Sequence, residues 1–357
     1  MNIGLRGHNL IFLISQPRAG STLTQRILGN HSDIHTVSEP WLMLHPLYAL
    51  SNEGYEAEYN AKWSLGAIKN FLEKLPDGEE TYFEGIRRTY TYLYNSTLTV
   101  SGKQYFLDKT PRYYHIIPEL YRTFPKAKYI ILLRNPLAVL CSIISTWTKE
   151  NWFRLYLYQH DLLKAPIELI EGIKLLTEKC TVLHYEKLLS NPENEIKIVC
   201  DQLEINYEAE IINYGLNNFP NWKFGDQKSV YTNKQPNSKN IDAWISHLEN
   251  PQVWRVVNDY LHFLGEDIIN QMGYSYEELE QIINENRPHW FKLWRTFSLK
   301  WLLKKPEERK KFNYEDYLIR LITSVQLRGF GGTLIRLVQK LFHKQANSVQ
   351  VTKILSS

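Results

Sequence analysis

The sequence predicts an α/β fold, with a central, mainly parallel sheet, helices on both faces, and a basic helical extension towards the C-terminus. Three observations carry that expectation. Leu10-Ile-Phe-Leu-Ile14 is an unbroken apolar run, the pattern of a strand buried on both faces. Lys128-Tyr-Ile-Ile-Leu-Leu-Arg134 repeats the pattern. Each run meets a short turn and then helical spacing, through Leu23, Ile27 and Leu28 in the first case and Leu137, Leu140, Cys141 and Ile144 in the second.

The first turn is Ser15-Gln16-Pro17-Arg18-Ala19-Gly20. Pro17 fixes φ, and Gly20 permits a tight or left-handed backbone. Ser21 and Thr22 stand where the helix begins. Free N–H groups and the helix dipole at such a corner attract an anion. Arg18 adds a forked cation, and Ser21 and Thr22 add hydroxyl donors. The plainer reading is an ordinary corner with a solvated arginine. The arrangement is P-loop-like within a three-layer α/β/α fold, but it is not a Walker A loop. That motif needs G-x-x-x-x-G-K-[ST], and the first glycine and the lysine are missing.

Composition narrows the class. A chain of 357 residues with 43% hydrophobic content can bury a sizeable core in one or two domains. A net charge of +4 is too small for bulk nucleic-acid binding. Cys141, Cys180 and Cys200 are an odd count without metal-like spacing, which points to a reducing compartment. Met1 to Leu10 has no signal-peptide apolar core, and no run of 18 apolar residues exists. The expected location is the cytoplasm, with a membrane-surface contact left open. From Phe291 to Ser357 there are 14 Lys and Arg against 4 Asp and Glu, so the rest of the chain is net acidic. That shift marks a boundary near residues 275–290.

Further along, Ser38-Glu39-Pro40-Trp41 precedes a Tyr- and Trp-rich stretch to residue 100, read as an insertion lining an acceptor pocket. Tyr105-Phe-Leu-Asp-Lys109-Thr-Pro-Arg112 is a short strand ending in polar groups. After it, Pro118 to Phe124 reads as a helix. Arg134, at a strand's C-terminal end, can fork onto a phosphate, and Ser142 lies two helical turns further on. A Walker B strand would end in Asp to hold Mg²⁺; this one ends in a cation, so no metal is expected. Thr181 to His184 reads as a strand running into Tyr185, Glu193 to Leu203 as an amphipathic helix, and Leu248 to Met272 as the helix that closes the core.

Pro17-Arg18-Ala19-Gly20-Ser21-Thr22-Leu23 resembles the 5′-phosphosulfate loop of sulfotransferases that use 3′-phosphoadenosine 5′-phosphosulfate (PAPS). In one branch that loop reads Pro-Arg-Ser-Gly-(Ser/Thr)-Thr-Leu. The strand ending in Arg134-Asn-Pro136, with Ser142 eight residues after the arginine, resembles the same family's 3′-phosphate signature. Tyr185-Glu-Lys-Leu followed by Asn191-Pro192 is a third match. Ser238-Lys239-Asn240 with Asp242-Ala243-Trp244 resembles a degenerate last nucleotide loop that has lost both glycines. The resemblance covers about residues 8–275, the expected catalytic domain 1–275, and leaves 276–357 as a basic amphipathic extension.

The resemblance implies in-line transfer of a sulfuryl group from PAPS to a hydroxyl or amine, with PAP as product. It implies Glu39 as general base, with Lys109 and Arg18 contacting the sulfuryl group and the leaving oxygen. The loop Arg18, Ala19, Gly20, Ser21 and Thr22 would hold the 5′ end. Arg134, Ser142, Ser238 and Lys239 would serve the 3′-phosphate, and Tyr185 would lie near the adenine. Two plainer readings stand beside these: Glu39 capping a helix from Pro40, and Tyr185 packing at a strand end. The two phosphate-bearing ends are expected in separate crevices about a dozen ångströms apart, from strand spacing. Cytosolic small-molecule members carry Lys-Thr-His where this chain has Lys109-Thr110-Pro111. That places it nearer the tyrosylprotein, carbohydrate and bacterial natural-product branches. The expected acceptor is a small secondary metabolite. Residues 290–344 read either as a contact for a membrane surface or acidic partner, or as helices docked on the core with solvated basic faces. Two other classes remain: a P-loop-like phosphotransferase, and a non-catalytic membrane-associated adaptor using the basic tail.

Overall fold

Strand β1 (Leu10–Ser15) is buried along its whole length because it has a parallel neighbour on each side. The computed structural model describes residues 3–51, 57–215, 235–238, 241–289, 293, 296–306 and 308–309. Among them the sheet has four further strands: β2 (Ile34–Thr36), β3 (Tyr105–Lys109), β4 (Lys128–Leu133) and β5 (Cys180–His184). Their order is β2-β3-β1-β4-β5, and every pairing is parallel. Leu13 stands level with Lys109 on one side and Ile130 on the other. The loops that leave β1, β3 and β4 therefore emerge side by side at one edge, where open α/β sheets carry their ligand sites.

Alternation along β1 splits the core into two layers. Ile11 and Leu13 face helix α1 (Ser21–Gly29) together with the helices Pro136–Ser142, Pro192–Leu203 and Pro251–Gln271. Leu10, Phe12 and Ile14 face the helices Glu79–Ser101, Ile117–Thr123 and Ala165–Leu176. Phe12 centres the second layer, with the rings of Tyr113, Phe124 and Tyr129 at 5.9, 6.1 and 5.5 Å.

The core-closing helix starts at Pro251 rather than Leu248, because the Asn250 side chain caps it by accepting from the Gln252 N–H. It also breaks at Gly265, whose φ of 72° no continuous helix contains. The helix Tyr276–Glu285 packs on it, and the Trp254 indole donates to the Ile283 carbonyl at 2.8 Å. The Gln252 side chain donates to the Phe297 carbonyl and accepts from its N–H, both at 2.8 Å. Phe297, Leu299, Leu302 and Leu303 are buried in the same layer as α1. Of the basic extension, Trp290, Phe291, Trp294 and the amphipathic segment 334–344 lie outside the described residues. Among the described residues no helix is long and apolar enough to cross a membrane.

Candidate active site

The β1–α1 loop sits where the central strand ends. Arg18 and Gly20 both have positive φ, 72° and 99°. For glycine this is free; for arginine it is strain held by its surroundings. No side chain caps α1, and its first turn carries no acidic residue, so the positive end of its dipole faces the loop. Gly20 has a second reason to be glycine: a Cβ there would lie 2.3 Å from the Tyr185 ring. Ala19 is fully buried, and Ser21 and Thr22 nearly so.

Next to this loop, β4 delivers Arg134. Its Nη1 donates to the Arg18 carbonyl at 2.9 Å, and its guanidinium stacks 4.4 Å from the centroid of Tyr185. Arg134 Nε is buried with no hydrogen-bond partner among the described residues. Glu186 locks the backbone beside it, accepting from the Asn135 N–H at 3.0 Å and from the Tyr274 hydroxyl at 2.7 Å. Burial, then the Glu186 carboxylate, push the Tyr274 phenol far up, so it stays a donor. Ser142 reaches the same place from the following helix, and Arg18 Nε donates to Ser142 Oγ at 3.1 Å. This corrects one expectation. The Arg18 and Arg134–Ser142 sets touch, rather than occupying separate crevices. Their carriers, β1 and β4, are adjacent strands, only about 4.8 Å apart in any sheet.

On the other side of β1, β3 ends in Lys109, which is 0% exposed. Its Nζ donates to Glu39 Oε1 at 2.6 Å and to Thr22 Oγ1 at 3.4 Å. Lys109 thus bridges the first turn of α1 and the carboxylate. Glu39, 11% exposed, also accepts from the Trp41 indole at 3.1 Å. It caps no helix: residues 38–41 are irregular, and the next helix is Leu44–Tyr48. The loop carrying Glu39 is fastened below by Asp108, which is wholly buried and accepts from Tyr94, Tyr113 and Thr110 at 2.6, 2.9 and 2.9 Å. Burial pushes the Asp108 carboxyl up to about 6, against the pull of those three hydroxyls and Lys109.

Several site neighbours carried no signal of their own in the sequence. Arg112 grips Asp161 through two bonds, Nε to Oδ1 at 2.9 Å and Nη2 to Oδ2 at 2.6 Å. Burial works against the Arg112 charge, but the bonds and attraction from Asp161 outweigh it and hold the guanidinium above its ordinary value. Arg112 lies over Trp41 and Trp147, 5.4 and 5.8 Å from their centroids, and Arg18 lies 5.8 Å from the same Trp147 ring. Only the position of Arg112, three residues after Lys109, hinted at this. His115 packs beside Tyr114, and burial pushes its imidazole down to about 4.

The structure therefore brings together Arg18, Gly20, Thr22, Glu39, Lys109, Arg134, Ser142 and Tyr185. Among the described residues no hydrogen bond or ion pair joins Ser238 to this group. Ser238 is exposed, and its carbonyl accepts from the Ile241 N–H. Lys239 lies outside the described residues. Among the described residues no cluster of three or more His, Cys, Asp or Glu could hold a metal ion.

A family profile described as Sulfotransferase family matches residues 10–209. The nodulation protein NoeE of Sinorhizobium fredii (strain NBRC 101917 / NGR234) is 26% identical over 289 residues, 74% of this chain and 66% of that protein. Protein-tyrosine sulfotransferase A of Caenorhabditis elegans is 24% identical over 217 residues, 57% of this chain and 52% of that protein. Each match thus spans less than two thirds of the relative's own length. Among solved structures, the sulfotransferase domain from the curacin biosynthetic pathway aligns with a TM-score of 0.48 at 18% identity, covering 74% of this chain and 97% of that one.

Proposed function

The chain belongs to the sulfotransferase family, and from that premise we propose that it transfers a sulfuryl group from PAPS to a hydroxyl or amine of a small metabolite in the cytoplasm. The observation that carries the donor reading is Arg134. It is a cation at the end of a central strand with a carbonyl and a ring for company, and a buried Nε without a partner among the described residues. Buried donors ordinarily have partners. A phosphate set against Arg134 and Ser142 would supply one.

PAPS supplies the sulfuryl group; the chain supplies the rest. Arg134 and Ser142 hold the 3′-phosphate end, with Lys239 assigned there by resemblance, and Arg18, bonded to Ser142, contacts the sulfuryl group and the leaving oxygen. The N–H groups from Gly20 to Thr22 hold the 5′ end, while the Ala19 N–H closes the loop on the Gln16 carbonyl at 3.1 Å. Tyr185, fixed between Gly20 and Arg134, offers a ring for the adenine. Glu39 takes the acceptor proton as the acceptor atom bonds to sulfur. Lys109 meets the negative charge that gathers on the leaving phosphate oxygen as the sulfur–oxygen bond opens. The 2.6 Å Lys109–Glu39 contact keeps these two groups side by side, so a single step can use both. The acceptor would enter along Trp41, Arg112 and Trp147. The basic extension, in this reading, adds contact with a membrane surface or an acidic partner.

Calorimetry with 3′,5′-ADP, AMP, ADP and ATP tests the donor assignment. Binding of 3′,5′-ADP that weakens sharply when the 3′-phosphate is removed is the expected result. Equal affinity for ADP, or Mg²⁺-dependent ATP turnover, would replace this reading with a phosphotransferase.

A further inference from the structure

Trp41 has a φ of 56°, a left-handed conformation that a bulky side chain adopts only under constraint. Such strain persists where the surroundings over-determine it. Trp41 also holds the proposed base, through its indole N–H on Glu39 Oε2. What fixes this turn is an unbroken chain of hydrogen bonds from below. The Trp41 backbone N–H donates to Thr110 Oγ1 at 3.3 Å, and the Met43 N–H donates to the Tyr113 hydroxyl at 3.1 Å. Both hydroxyls in turn donate to Asp108.

We propose that Asp108 is the positioning residue for Glu39. An ionised carboxylate only accepts. It therefore forces the Thr110 and Tyr113 hydroxyls to point their protons inward and their lone pairs at the two backbone N–H groups. Those bonds hold the strained turn, and the turn aims the Trp41 indole at Glu39. Tyr94 also donates to Asp108, at the oxygen it shares with Tyr113, but among the described residues its hydroxyl makes no hydrogen bond to Thr110 or to the turn itself, so it is the internal control for the Thr110 branch. The role rests on the proposed function, because it matters only if Glu39 is the base, yet it can be read without donor or acceptor.

The test is the ¹⁵N indole signal of Trp41 in the full-length protein, assigned with Trp41→Phe and calibrated with Glu39→Ala, which removes the indole's acceptor. Thr110→Val and Asp108→Asn should move the signal upfield towards the Glu39→Ala position. Thr110→Ser should restore it, and Tyr94→Phe should leave it in place. Affinity for 3′,5′-ADP should stay within about twofold in all four variants, since Arg134 and Ser142 are untouched. An unmoved signal in Thr110→Val overturns the proposal, and that variant keeps a full-sized side chain should Asp108→Asn fail to fold. A Tyr94→Phe shift as large as that of Thr110→Val also overturns it, because the effect would then be general loosening. Loss of the base reading looks different: Glu39→Gln would keep its turnover while the Trp41 signal still followed Thr110.

Discussion

Arg112 and Arg134 each lie just beyond the end of a strand that pairs with β1, yet they are partnered in opposite ways. Arg112 is forked onto Asp161, whose side chain is 4% exposed, and Tyr114 donates to the same carboxylate at 2.8 Å. Its charge is spent inside the protein. Among the described residues Arg134 has no carboxylate as a hydrogen-bond partner; it has the Arg18 carbonyl and the Tyr185 ring. Lys109 stands between the two cases, bonded to a carboxylate that is itself 11% exposed. The lesson is that the number of cations near a site says little. What matters is which of them the fold has already neutralised.

That contrast can be broken or sharpened by substitution. The largest effect should come from Glu39→Gln, which leaves Lys109 a neutral partner. Turnover should fall by roughly 10²–10⁴, with 3′,5′-ADP affinity unchanged by calorimetry; full turnover would move the base elsewhere. Arg112→Ala should cost stability, towards the lower end of roughly 3–5 kcal/mol because the arginine is 29% exposed. Urea unfolding reads this, and 3′,5′-ADP affinity should hold. Arg134→Ala should do the reverse, weakening 3′,5′-ADP about 10- to 100-fold, as loss of charge-assisted bonds does, while the unfolding midpoint barely moves. If the two arginine variants behave alike, the distinction between them is wrong.

The smallest effect lies beneath the Arg112–Asp161 pair. Burial pushes His115 down to about 4 from an ordinary 6.5, so the folded state keeps it neutral. As pH falls below about 6.5 the unfolded chain takes up this proton first, and stability drains away until the folded pKa is passed. His115→Asn should lose less stability than the parent between pH 7 and pH 4.5 in urea titrations. Equal slopes would mean that His115 is protonated normally in the fold.

How much of this was legible in the sequence depended on the distance over which each feature is encoded. β1 and β4 announce themselves because a strand covered on both faces is apolar throughout. Arg134 and Ser142 are eight residues apart, a spacing a strand end and one helix can hold. The family resemblance sets Glu39 and Lys109 separately at the transferring group; nothing local says that they touch across 70 residues. β2 has three residues and no apolar run, so no periodicity marked it. The Arg112–Asp161 grip, the left-handed Trp41 and the Arg18–Ser142 contact come from tertiary packing between segments that are unremarkable alone. The break at Gly265 was missed because the apolar spacing continues through it.

The order of the strands has a consequence for how such a protein could change its clientele. The loop after β1 and Arg134 hang from the middle of the sheet, on β1 and β4. The excursion from Val37 to Gln104 leaves from the opposite margin at β2 and returns through β3, like a bracket bolted to one side of a vice. Insertions or exchanges in that bracket can reshape what is presented to Glu39 while the jaws keep their spacing.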